Sequence, residues 1–175
     1  MRTLVIAALG VTLAAGAVQA QVPTIPVEAL KAAGLDPHTK VDGGAVQVLT
    51  GQRAVIDIDD SGKLKLEDVE TGRIGMAASD GKETYKGAGA GKLAFALDAS
   101  VEKRQSILKI WNGLTRPLAY EAEITALRGG KLMKRMSTIC TVPAGAVGYE
   151  VWPDPVISVT LSKFAETPAD KHVCQ

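Results

Sequence analysis

LAYEAEIT, residues 118–125, sets Leu118, Tyr120, Ala122 and Ile124 on one side of the chain and Glu121, Glu123 and Thr125 on the other. A repeat of two is the side-chain period of a β-strand, and an apolar face backed by a charged one marks a strand with one dry side. The pattern continues in both directions. Leu93, Phe95 and Leu97 alternate with small residues, and Leu108 and Ile110 follow. Downstream, RGGKLMKRM turns at Gly129-Gly130, TICTV reads as a short strand ending at Pro143, and Val147, Tyr149 and Val151 form another. Ile157, Val159 and Leu161 alternate with Ser158, Thr160 and Ser162. Counted together, these segments predict seven strands between Leu93 and Phe164, spaced as in an antiparallel sandwich.

The same period begins upstream at Val46 and Val48. It passes through Val55 or Ile56 and Ile58, then Leu64 and Leu66, with turns at Thr50-Gly51 and Asp60-Ser61-Gly62. These read as successive hairpins over 45–78, additional to a core spanning 93–175. Between them, SDGKETYKGAGAGK (79–92) is glycine-rich and nearly free of large apolar groups, which predicts a mobile loop or seam. Residues 21–44 carry three prolines and a short helical signal, Val27, Leu30 and Ala33 ahead of Gly34, and read as a strap.

The first twenty residues, MRTLVIAALGVTLAAGAVQA, combine Arg2, an apolar run and small residues at Val18 and Ala20. That is the form of a cleaved signal peptide, with the cut before Gln21, and it predicts a periplasmic or secreted protein without a membrane span. The whole chain has 20 basic and 19 acidic side chains. Loss of Arg2 makes the processed chain formally neutral, which argues against nucleic acid as a partner. Cys140 and Cys174 are the only cysteines, and in an oxidising compartment an even pair predicts a disulfide.

Several constellations invite a chemical reading. In DIDDSGKLKLED, Asp57, Asp59, Ser61 and Asp68 fall at ligand-bearing places of a calcium loop, with Gly62 at the bend. Lys65 at another ligand place and the strand-like flanks favour a hairpin whose turn needs small polar residues. GAGAGKL approaches a phosphate-binding loop but has Leu93 where the magnesium-binding hydroxyl belongs. The two histidines, His38 and His172, stand in no serine- or cysteine-nucleophile context, so no catalytic residue is assigned. Arg128, Lys131, Lys134 and Arg135 make a basic hairpin opposed in sign to the acidic 57–70 region, a pair of patches able to steer a charged partner. Trp111 and Trp152, beside turns, could line a platform for peptide or surface glycan, although the phase of Trp152 favours capping the sandwich end.

ILKIWNGLTRPLAYEAEI (107–124), two alternating strands around an Asn-led turn with a proline, resembles the central hairpin of immunoglobulin-like domains in bacterial envelope proteins, pilus-assembly chaperones among them. The resemblance implies an all-β, immunoglobulin-like antiparallel sandwich. With the leader and the absent catalytic set, the expected function is a non-catalytic structural or binding module whose partner is an envelope or secreted protein or a surface glycan. The alternatives are a calcium-stabilised binding protein and an assembly chaperone-like protein.

Overall fold

Two antiparallel five-stranded sheets face each other in the computed structural model, which describes residues 27–32, 34–59, 61–75, 82–100, 105–168 and Cys174. The segment expected to be a signal peptide (1–20), Asp60 and His172 lie outside the described residues. A short helix, α1 (Val27–Ala32), precedes the strands β1 (Lys40–Asp42), β2 (Ala45–Leu49), β3 (Gln52–Ile58), β4 (Leu64–Thr71) and β5 (Lys92–Ser100). Then come β6 (Gln105–Asn112), β7 (Leu118–Arg128), β8 (Lys131–Ser137), β9 (Val147–Trp152) and β10 (Val156–Glu166). The first sheet runs β1-β2-β10-β7-β8 and the second β4-β3-β5-β6-β9. The all-β antiparallel sandwich expected from the alternation is the fold adopted.

The alternation places the core between the sheets. Val46, Val48, Ala122, Ile124, Val159 and Leu161 of the first sheet meet Ile56, Leu93, Phe95, Leu97, Leu108 and Ile110 of the second, all at 0% exposure. Full burial of each Leu, Ile, Val or Phe contributes about 1.5–3 kcal/mol. Tyr120, expected in the core, is buried there and stacks near Phe164, which also meets Phe95 at 5.6 Å. The β7–β8 hairpin turns at Gly129 and Gly130 with φ of 55° and 77°, values that L side chains rarely adopt and that a two-residue primed turn demands.

Three expectations are corrected by the topology. Thr50-Gly51 is no hairpin: β2 and β3 belong to opposite sheets, and the chain crosses between them there. The Thr50 N–H donates to Ile157 O of the first sheet, and the Gly51 N–H to Leu97 O of the second. Residues 45–71 are therefore woven into both sheets. The 107–124 stretch is likewise a crossing, since β6 and β7 lie in opposite sheets. Asn112, 1% exposed, holds that corner: its Nδ2 donates to Arg116, Val142 and Pro143 carbonyls at 2.9–3.0 Å, and its Oδ1 accepts the Leu114 N–H.

TICTV, third, forms only isolated bridges, Val142 to Leu118 and Cys140 to Cys174. It has left both sheets to close the side of the sandwich, where Ile139 and Val142 are buried. The strap contributes more than expected. Its β1 pairs with β2, and Leu30 and Leu35 pack with Ile157 on the outer side of the first sheet.

Candidate interaction face of the second sheet

The outward side of the second sheet is a second packed layer. Ala94 and Ala96 of β5 carry little side chain there, so Ile74 and Tyr85 pack against them together with Ile107 and Trp111 of β6. Ile74 and Tyr85 come from the chain between β4 and β5, so the segment expected to be a mobile loop or seam is anchored on the sheet through Tyr85. The Tyr85 hydroxyl donates to Gly51 O at 3.2 Å, and burial pushes the phenol pKa up.

Two cations are threaded between the rings. Arg53 of β3, only 3% exposed, lies 5.6 Å from the Tyr85 centroid and 5.3 Å from that of Trp111. Its Nη2 donates to Glu70 at 2.8 Å and its Nη1 to the Lys86 carbonyl. Lys109 of β6 continues the row, with Nζ 4.8 Å from the Trp111 ring, 5.4 Å from the Tyr149 ring and 2.7 Å from Glu83 Oε2. The order along the face is Tyr85, Arg53, Trp111, Lys109, Tyr149. Desolvated cation–π contacts of this kind contribute about 2 kcal/mol each, and exposed ones less than about 1. Asp98, 1% exposed, anchors the same covering segment by accepting from Arg73 Nε and the Ile74 N–H.

The row is buried at one end and open at the other. Tyr149 is 55% exposed, flanked by Val147 at 41% and Val151 at 54%. These three make an apolar strip on the outer face of β9, at the edge of the sheet. The other three sheet edges are guarded. β1 is three residues long and carries Lys40 and Asp42; β4 presents Lys65, Glu67 and Asp68; β8 presents Lys131, Lys134 and Arg135. Short or charged edges prevent pairing with foreign strands. β9 has one charge, Glu150, and its Oε1 is engaged by the Cys140 N–H at 2.9 Å. Burial raises the Glu150 pKa, while the Cys140 N–H and the Tyr120 hydroxyl work against the shift.

The residues singled out in the sequence fall in separate places. Trp111 is in the row but only 7% exposed, so it supports the face rather than forming an open platform. Trp152, 5% exposed, caps the sandwich as its phase suggested, with Nε1 donating to Ser137 Oγ at 2.7 Å. Of the basic hairpin, Arg128 makes a two-point contact with Asp154 at 3.0 and 2.9 Å, and Arg135 approaches the same carboxylate at 3.4 Å. Arg128 holds the Asp154 carboxyl below the usual range. Lys131 and Lys134 face Arg128 and Thr125 across the β7–β8 ladder.

The calcium-loop residues form a hairpin. Asp59 Oδ1 accepts the Ser61 and Lys63 N–H groups and the Ser61 hydroxyl, which keeps its pKa low. Asp57 faces Lys65, and Asp68 faces Val55 across a register shift. Among the described residues no three His, Cys, Asp or Glu side chains converge as metal ligands. Cys140 and Cys174 are joined by a disulfide.

Arg53 and Lys109 were missed. Their signal was a lone cation inside an apolar strand, in RAVI and in ILKIW, where a buried charge must find partners. No protein-family model, curated protein sequence or solved structure shows a significant match to the chain. No helix among the described residues is long and apolar enough to cross a membrane.

Proposed function

We propose that the protein is an exported, non-catalytic structural or binding module of the cell envelope, and that it makes its contact along the outer edge of β9. The observation that carries this reading is the contrast among the four sheet edges. β9 turns three apolar side chains outward with a single carboxylate among them, already engaged by the Cys140 N–H, whereas β8, which also exposes Met133 and Met136, sets Lys131, Lys134 and Arg135 among them; β9 is backed by a stiff layer of rings and cations. A rigid backing lowers the ordering cost of association, and aromatic and aliphatic side chains at a strand edge suit recognition of an extended segment. The leader sequence and the disulfide support an oxidising, exported location.

The test is site-specific photo-crosslinking in intact cells of the source organism. A crosslinker at position 149 is expected to capture a macromolecular product, and one at position 131, on the guarded β8 edge, is not. The absence of any product at 149, or turnover on a hydrolase panel that His38→Ala abolishes, overturns the proposal.

A further inference from the structure

We infer that the occupant of the β9 edge is β9 of a second copy of this chain, paired antiparallel about a two-fold axis through Tyr149. The inference rests on the reading of the β9 strip as the interaction surface and adds to it the identity of the partner.

The hydrogen-bond phase of β9 fixes which residues are available. Asn112 and Ala146 are opposite one another, with the Asn112 N–H donating to Ala146 O at 2.9 Å. The antiparallel ladder alternates, so Gly148, Glu150 and Trp152, opposite Ile110, Leu108 and Ser106, also direct their main-chain groups towards β6. Val147, Tyr149 and Val151 direct theirs to the open edge. The residues with outward backbone groups are thus the same three that carry the exposed apolar side chains.

Their order is symmetric. Read in either direction, the strip is Val, Tyr, Val at alternate positions, centred on Tyr149. A two-fold axis there sets Tyr149 against Tyr149 of the second copy, and Val147 against Val151 of the second copy and the reverse. Every outward N–H and C=O on the strip then meets a counterpart. A shift of the axis by half a residue sets outward groups against inward ones, and a shift by a whole residue leaves part of the strip unpaired. Glu150 lies opposite Gly148 of the second copy, so no like charges face each other, and it keeps its contact with the Cys140 N–H. Self-complementarity of this kind is what a closed, isologous dimer requires. The guarded edges β1, β4 and β8 offer no such match, and the row of Trp111, Lys109 and Tyr149 would run on across the axis.

Sedimentation of the oxidised chain over a range of concentrations is expected to show twice the chain mass, and Val151→Lys a single mass. Opposed Cα atoms of a hydrogen-bonded antiparallel pair are about 5.5 Å apart, within disulfide reach. Tyr149→Cys should therefore oxidise to a dimer linked 149 to 149 by peptide mapping. Val147→Cys and Val151→Cys should link when mixed and not when alone. A wild-type chain that stays at single mass, together with no 149-to-149 link, overturns self-pairing. A short synthetic peptide of alternating valine and threonine then separates the two readings. If the single-mass chain binds it and Val151→Lys does not, the edge still accepts another protein's strand; if neither binds, both readings fail.

Discussion

The indole N–H of Trp152 donates to the Ser137 hydroxyl at 2.7 Å, tying β9 at the rim of one sheet to β8 at the rim of the other. Both sheets end on this side, so the bond closes a gap that main-chain pairing cannot bridge. A net contribution of about 1 kcal/mol is expected for a hydrogen bond in this setting. Trp152→Phe and Ser137→Ala should each destabilise, and the double variant should lose less than their sum. Urea melts of the four proteins give that coupling, and strict additivity would show that the bond contributes nothing.

Arg53 is the keystone of the outer layer. Arg53→Met leaves the part-exposed Glu70 and the Lys86 carbonyl without their partner and is expected to cost about 2 kcal/mol, the scale of a lost hydrogen bond to a charged group. The local effect is the sharper one. Residues 82–89 should loosen, so trypsin should cut after Lys82 and Lys86 well before the rest of the chain. An unchanged digestion pattern would mean that the segment is held by Tyr85 and Asp98 alone.

Glu150 gives a pH signature. Its folded-state pKa is raised, chiefly by burial, so folding favours the protonated form. Its contribution is most favourable below the ordinary carboxylate range and is lost as pH rises through the raised value. Glu150→Gln keeps an acceptor for the Cys140 N–H and does not ionise. The variant's stability relative to wild type should therefore grow between mildly acid and neutral pH and then level off. Comparing the two proteins cancels the opposite trends of Asp59 and Asp154, whose pKa values are lowered. A constant difference across pH would remove Glu150 as the cause.

The 57–68 hairpin is expected to depend on Asp59 and not on calcium. Asp59→Ala strips the Ser61 and Lys63 N–H groups of their acceptor and should lower the melting midpoint, as loss of a capping contact does. Millimolar calcium should leave the wild-type melting midpoint unchanged. A rise of several degrees that Asp57→Ala abolishes would restore the metal reading.

Gly113 tests the β6–β7 corner. A Cβ there would stand 2.3 Å from the Gly89 carbonyl oxygen and 2.6 Å from that of Lys92, both main-chain atoms that cannot rotate away. Gly113→Ala is expected to destabilise by about 2–3 kcal/mol, in the range of overpacking. A neutral result would show that the 89–92 turn can shift freely.

Strand identity was legible where one face is dry, as in 118–125 and 157–162, because the period of two survives any topology. Which strands share a sheet was not. Thr50-Gly51 and Asp60-Ser61-Gly62 both contain a turn glycine, yet one crosses between sheets and the other closes a hairpin. What separates them is the partner of each N–H, contributed by β10 and β5 from far along the chain. The anchorage of the covering loop was not legible from composition: Tyr85 sits in a polar, glycine-rich stretch and is held by Gly51, Arg53 and Trp111. The row of rings and cations was illegible for the same reason, since its members come from β3, β6, β9 and a loop.

β10 lies between β2 and β7 in its sheet, and Thr50 Oγ1 reaches the Val156 carbonyl 106 residues along the chain. A nascent chain that has not yet emerged as far as Glu166 holds two strands with a vacant lane between them. The last strand of the two sheets in chain order is the zip fastener, and until it arrives β2 and β7 have no lane to join them.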